Sequence, residues 1–196
     1  LCAKDKDTLR RLAERYSEIA HLDVQRERIE RYYRTNALEQ VRPVVLIDEV
    51  PWGEIRDPAL VNACSDELSW LEGHLRRVLY QWDHFQVDLV VPPVFPIVKQ
   101  MRWNRGIGVD VHDQQIKGDT GAYICAHAYG DQLQTDDDLG KLHAPEIAYD
   151  QHATEAAYAV AHEIFAGLMP VEIVGRGGLG YNVWDSIAVH RGVDNL

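Results

Sequence analysis

Apolar residues first recur at helical spacing, at Leu9, Leu12, Tyr16 and Ile19, with Arg and Glu on the opposite face. Asp7 or Thr8 is placed to cap this helix, and Asp23 to cap a second that passes through Ile29 and Tyr33 to about Leu38. Pro43 then ends helical structure, because proline lacks an N–H and pushes its predecessor out of the helical region. The run Val44, Val45, Leu46, Ile47 is apolar without alternation. Such a run reads as a strand buried on both faces, as in a parallel sheet covered by helices. It leads into Asp48, Glu49, Pro51 and Trp52.

Asp57-Pro58 has the form of a short helix start. Ser65 is placed to cap a longer helix whose stripe is Leu68, Leu71, Leu75, Val78, Leu79 and Trp82, closing at His84 and Phe85. Val87–Val91 is a second continuous apolar run, cut off by Pro92-Pro93. Val94–Arg105 reads as an apolar loop, a lid or a surface for a partner. Ile107–His112 and Ala122–Ala128 alternate, with turn residues Lys117–Gly121 between them, which predicts an antiparallel hairpin or a pair of edge strands. Thr135–Asp138 has capping-box spacing, so its Asp triplet reads as a helix start before it reads as a metal site. Asp150 opens a helix with Tyr158, Ala161 and Phe165 inward and Gly167 at its end. Met169–Val174 is the third apolar run. It enters a glycine-rich loop, and a helix over about Val183–Arg191 ends at Gly192. Helices alternating with strands predict an α/β fold with parallel connections.

Composition narrows the partners. The chain of 196 residues is 46% hydrophobic and carries a net charge of −11, which argues against nucleic acid or an anionic membrane as the main partner. Cys2, Cys64 and Cys125 are odd in number and widely spaced, as expected of free thiols in a reducing, cytoplasmic setting. No run is long enough for a membrane span and no signal peptide is visible. The chain starts with Leu1, which we take as the sign of an incomplete reading frame.

In α/β folds the carboxyl ends of parallel strands carry the chemistry. That rule selects Glu49 as a catalytic carboxylate and Trp52 and Pro93 as substrate contacts at the same edge. The loop Gly175-Arg176-Gly177-Gly178-Leu179-Gly180 lacks the dinucleotide and P-loop fingerprints. It offers backbone N–H groups and Arg176 to an anionic substrate, with Gly177 and Tyr181 beside it. Cys125-Ala126-His127 puts thiol and imidazole on one face of a strand, which is half of a zinc site. His112, His127 and His143 could converge on a metal. His127 and Tyr129, with Glu49 and His84, are candidate acid–base groups. His162-Glu163 is not HExxH, and there is no GxSxG elbow.

The stretches LRRLAERYSEIA, RPVVLIDEVPW, LRRVLYQWDHFQVDLVVPP, YGDQLQTDDDLGKLHAPEI and VEIVGRGGLGYNVWDSIAVHRG resemble, in order and texture, the uroporphyrinogen decarboxylase superfamily. The closer resemblance is to its bacterial members related to cobalamin-dependent methyltransferases. It implies a (β/α)8 TIM-type barrel, which needs ~250 residues. This chain would then be the N-terminal part, with a helical collar over 1–42, a partial barrel over 43–196 and an added hairpin. It implies transfer of a methyl group between a small methylated compound and a corrinoid protein or a thiol, with any zinc held by residues outside this chain. Porphyrinogen decarboxylation is the alternative. Arg31-Tyr32-Tyr33-Arg34 does not match the Arg-rich RQAGR stretch of the decarboxylases, which weighs against it. A non-catalytic fragment or assembly domain is the third reading. An open half-barrel would expose sheet edges, so a homo-oligomer is expected.

Overall fold

The computed structural model describes residues 1–85, 87–116, 125–176 and 182–195. The chain is a mixed α/β protein with helices α1 (Ala3–Ala20), α2 (Asp23–Asn36), α3 (Ser69–His84), α4 (Gln151–Phe165) and α5 (Val183–Arg191). Its strands are β1 (Phe95–Val98), β2 (Met101–Arg105), β3 (Asp113–Ile116), β4 (Ala126–Tyr129), β5 (Glu146–Tyr149) and β6 (Val171–Val174). Among the described residues they form two-stranded sheets, β1 with β6, β2 with β5 and β3 with β4, and no closed barrel. The chain divides into two compact units, Leu1–Ile97 with Thr154–Val174, and Val98–Ala153 with Gly175–Leu196.

The larger unit is built on the stripe expected for α1. Leu9, Ala13, Tyr16 and Ile19 are buried with Leu71, Leu75 and Leu79 of α3 and Ile164 and Phe165 of α4. Phe95 stacks on Phe165 at 4.4 Å, and Tyr16 meets both rings edge-on at 5.6 and 5.9 Å. Such offset and edge contacts suit the ring quadrupoles. Arg10 donates to the carbonyls of Ile164 and Ala166, and Ser17 donates to that of Leu168, so side chains of α1 satisfy the end of α4. The cap of α1 is Cys2, whose sulfur accepts from the Asp5 N–H, and not Asp7 or Thr8.

Two of the three runs expected as buried parallel strands are not strands. Val45, Leu46 and Ile47 are extended but 50%, 53% and 43% exposed. Residues 87–91 lie inward without a sheet ladder, and side chains of α2 meet part of their backbone. Gln25 accepts from the Val91 N–H and Arg28 donates to the Leu89 carbonyl. The runs touch at Asp88. Its N–H donates to the Val45 carbonyl, and its carboxylate accepts from the Val45 N–H, Arg31 and Arg42. The third run is a strand, β6, and its parallel partner is β1, in the segment expected as a loop. Phe95 starts that pairing by donating to the Pro170 carbonyl at 2.9 Å.

Asp57 caps a 3₁₀ turn at Pro58–Leu60, and a second turn at Asp66–Leu68 precedes α3. Glu72, fully buried in α3, accepts from the N–H groups of Ala63 and Cys64 and from Arg76. Burial alone raises its carboxyl pKa, but these donors outweigh it and hold the group below the usual range.

In the smaller unit the expected antiparallel pair is present, but on Asp113–Ile116 and Ala126–Tyr129 instead of Ile107–His112. The expected turn, 117–121, and the first residues of the second expected strand, 122–124, lie outside the described residues. The Thr135–Asp138 capping box forms as the spacing requires. Strands β2 and β5 pair Met101 with Tyr149 and Trp103 with Ile147. Helix α5 ends at Gly192, where φ is +78° and an added Cβ would lie 2.7 Å from the Tyr129 carbonyl oxygen. Only glycine fits there at low cost.

Hydrogen bonding from Arg42, then from Val45, outweighs burial and holds the Asp88 carboxyl below the usual carboxylate range. A depressed folded-state pKa stabilises above the unfolded value, and the contribution is lost as pH falls through the folded one. Asp88→Ala should therefore lower unfolding free energy by about 2 kcal/mol at neutral pH. The gap between variant and parent should close below pH ~4, read as urea midpoints across pH.

Candidate functional site

Pairing of β3 with β4 places Asp113 opposite Tyr129 and Gln115 opposite His127. Alternation puts Cys125, His127 and Tyr129 on one face with Asp113 and Gln115. Asp113 is then the diagonal neighbour of His127, within reach of a long polar side chain. His127 Nδ1 lies 2.9 Å from both carboxylate oxygens of Asp113. A carboxylate accepts only, so Nδ1 carries the proton and donates. Nε2 faces Cys125 Sγ at 3.9 Å. Tyr129 stacks on the imidazole at 6.0 Å and 10°. The imidazole is 39% exposed and Asp113 31%, so the group is open to a small molecule.

A base oriented by a third group, with a nucleophile in reach of its other nitrogen, is the general pattern of activated side chains. Sequence reasoning selects His127, Tyr129 and Cys125 but misses Asp113. The missing signal is the register, since composition shows an acidic residue beside His112 and not which histidine it faces. His112 itself bonds Gln132, and His143 meets the Ala144 carbonyl. The three histidines do not converge on a metal, and no group of three or more metal-binding side chains exists among the described residues. Cys125 and His127 supply two donors, short of the three protein ligands of a catalytic zinc.

Glu49, Trp52 and Pro93 belong to the larger unit. Glu49 and Pro93 are exposed. Trp52 packs on α3, edge-on to Tyr80 at 6.1 Å with the Arg77 guanidinium 5.8 Å from its ring. Tyr80 in turn lies 4.1 Å from the ring of His84. These contacts account for the indole by packing. Arg176 is an exposed residue of the smaller unit. Gly177 and Tyr181 lie outside the described residues.

No family model, curated protein or solved structure matches this chain. Among the described residues no helix is long and apolar enough to cross a membrane.

The Asp113–His127 contact fixes a tautomer, which NMR can read. Long-range nitrogen–proton correlation should find the neutral His127 ring protonated at Nδ1. In Asp113→Ala the ring should revert to a mixture in which Nε2–H dominates. An Nε2–H ring in the parent chain would contradict the geometry.

Proposed function

We propose that this chain belongs to a methyl-transferring enzyme of the uroporphyrinogen decarboxylase-like kind. It moves a methyl group between a small methylated compound and a corrinoid carried by a partner protein, or a thiol. The observation that carries this reading is the half-exposed imidazole of His127, held at Nδ1 by Asp113 with Nε2 beside Cys125 Sγ. The parallel pair β1–β6, with helix α4 between them in sequence, supports a (β/α) barrel as the parent fold.

When a methyl group leaves oxygen, nitrogen or sulfur, the heteroatom keeps the bonding pair and gains charge. A proton delivered to that atom lowers the barrier. Protonated at both nitrogens, His127 donates from Nε2, while Asp113 stabilises the imidazolium and keeps it aimed. In the reverse direction the same nitrogen takes the proton back. Tyr129 limits ring rotation by stacking on the imidazole. Of the residues that the strand-end rule selected, Arg176 follows strand β6 and is offered to an anionic substrate, whereas Glu49, Trp52 and Pro93 follow runs that form no strand. Zinc activation of a thiol acceptor, which the resemblance implies, draws on residues outside this chain. A cytoplasmic setting suits the free thiols of Cys2, Cys64 and Cys125.

The test uses the full-length protein with reduced cobalamin and a panel of methylated phenols, amines and thiols, followed by the cobalamin spectrum. His127→Gln should lower turnover by about 100-fold with an unchanged melt, and Asp113→Asn should lower it by about tenfold. No transfer across the panel, together with conversion of uroporphyrinogen, would replace this reading with the decarboxylase.

We also propose a homo-oligomer. Met101, Trp103, Ile147 and Tyr149, 37%, 62%, 45% and 42% exposed, share one face of the β2–β5 ribbon. Contiguous exposed apolar surface marks interfaces. Light scattering should give more than one chain per particle, and a monodisperse monomer at micromolar concentration would contradict it.

A further inference from the structure

The three cysteines occupy three environments. Cys2 caps α1 through its sulfur. Cys64 donates to the Asp5 carbonyl at 3.8 Å, and burial, with the Glu72 carboxylate beside it, pushes its thiol up to about 12. Cys125 is half-buried and stands beside a histidine whose other nitrogen is already bonded.

We propose that Cys125 is a nucleophilic thiol that small carbon electrophiles alkylate at sulfur, with His127 as its base and Asp113 as the positioning residue. The S–H proton passes to His127 Nε2, leaving a thiolate beside an imidazolium that Asp113 stabilises. The sulfur pair forms the new S–C bond, the bond from that carbon to its leaving heteroatom breaks, and the heteroatom departs with the pair. His127 then passes the proton to the departed group, or to water where that group is as weak a base as iodide, so charge and atoms balance without an oxidant or a metal. The ligand class is a carbon bearing a heteroatom leaving group, small enough to reach an open strand face. This inference rests on the Cys125–His127–Asp113 geometry and not on methyl transfer, so the two can fail separately.

The test is alkylation of the full chain with iodoacetamide at neutral pH, each cysteine being quantified by peptide mass spectrometry. Cys125 should react at least about tenfold faster than Cys2 or Cys64. His127→Gln and Asp113→Asn should each slow Cys125 and leave Cys2 unchanged. A Cys125 rate no greater than that of Cys2, or one indifferent to His127→Gln, would overturn the assignment. Concentrated urea provides a measurement without a variant. The ratio of Cys125 to Cys2 should collapse on unfolding, and a ratio that survives would show that neighbouring sequence, and not the site, sets the rate.

Discussion

Asp88 does for the larger unit what a ladder of backbone bonds does for a sheet. Two apolar extended segments, each with the composition of a central strand, meet there at one carboxylate. Its side chain is 7% exposed and reached by two guanidiniums and an N–H, which offsets the cost of burying the charge. The Val41–Trp52 strap is also held by the Gln81 amide on the Ile47 carbonyl and by Trp52 against Tyr80 and Arg77. A point fastening of this sort leaves the apolar side chains of the strap half in water, whereas a ladder would bury them.

Much of the helical content was legible in the chain, because it depends on local signals. The stripe of α1, the capping box at Thr135, the Asp57-Pro58 turn and the span of α5 follow from spacing and from the donors that helix ends leave open. The strands were not legible to the same degree. Val44–Ile47 and Val171–Val174 are both rich in β-branched residues, and only the second is a strand. The difference lies in what reaches the backbone. Phe95 meets β6 with a main-chain N–H, while the residues around Asp88 meet arginine and glutamine side chains from α2. No periodicity within either run encodes that.

The candidate site divides along the same line. Cys125, His127 and Tyr129 share a face by simple alternation, so reading two-residue spacing was enough to group them. Asp113 enters from the facing strand, and its role depends on a register fixed elsewhere in the unit. Trp52 is the opposite case. Its place after an apolar run drew it into a site, yet Tyr80 and Arg77 account for it as packing on α3.

That register has its own safeguard. Strands β3 and β4 are four residues each and mostly exposed, the kind of pair whose alignment is weakly specified. A slip of one position would turn His127 and Cys125 to the far face and leave Asp113 opposite the wrong neighbours. Gly192 opposes this. It lies against the Tyr129 carbonyl with no room for a methyl group, at the end of a helix that stops there. The last turn of α5 therefore works as an indexing pin for β4. A bulkier residue at position 192, far along the chain from the imidazole, would push on the strand that carries it.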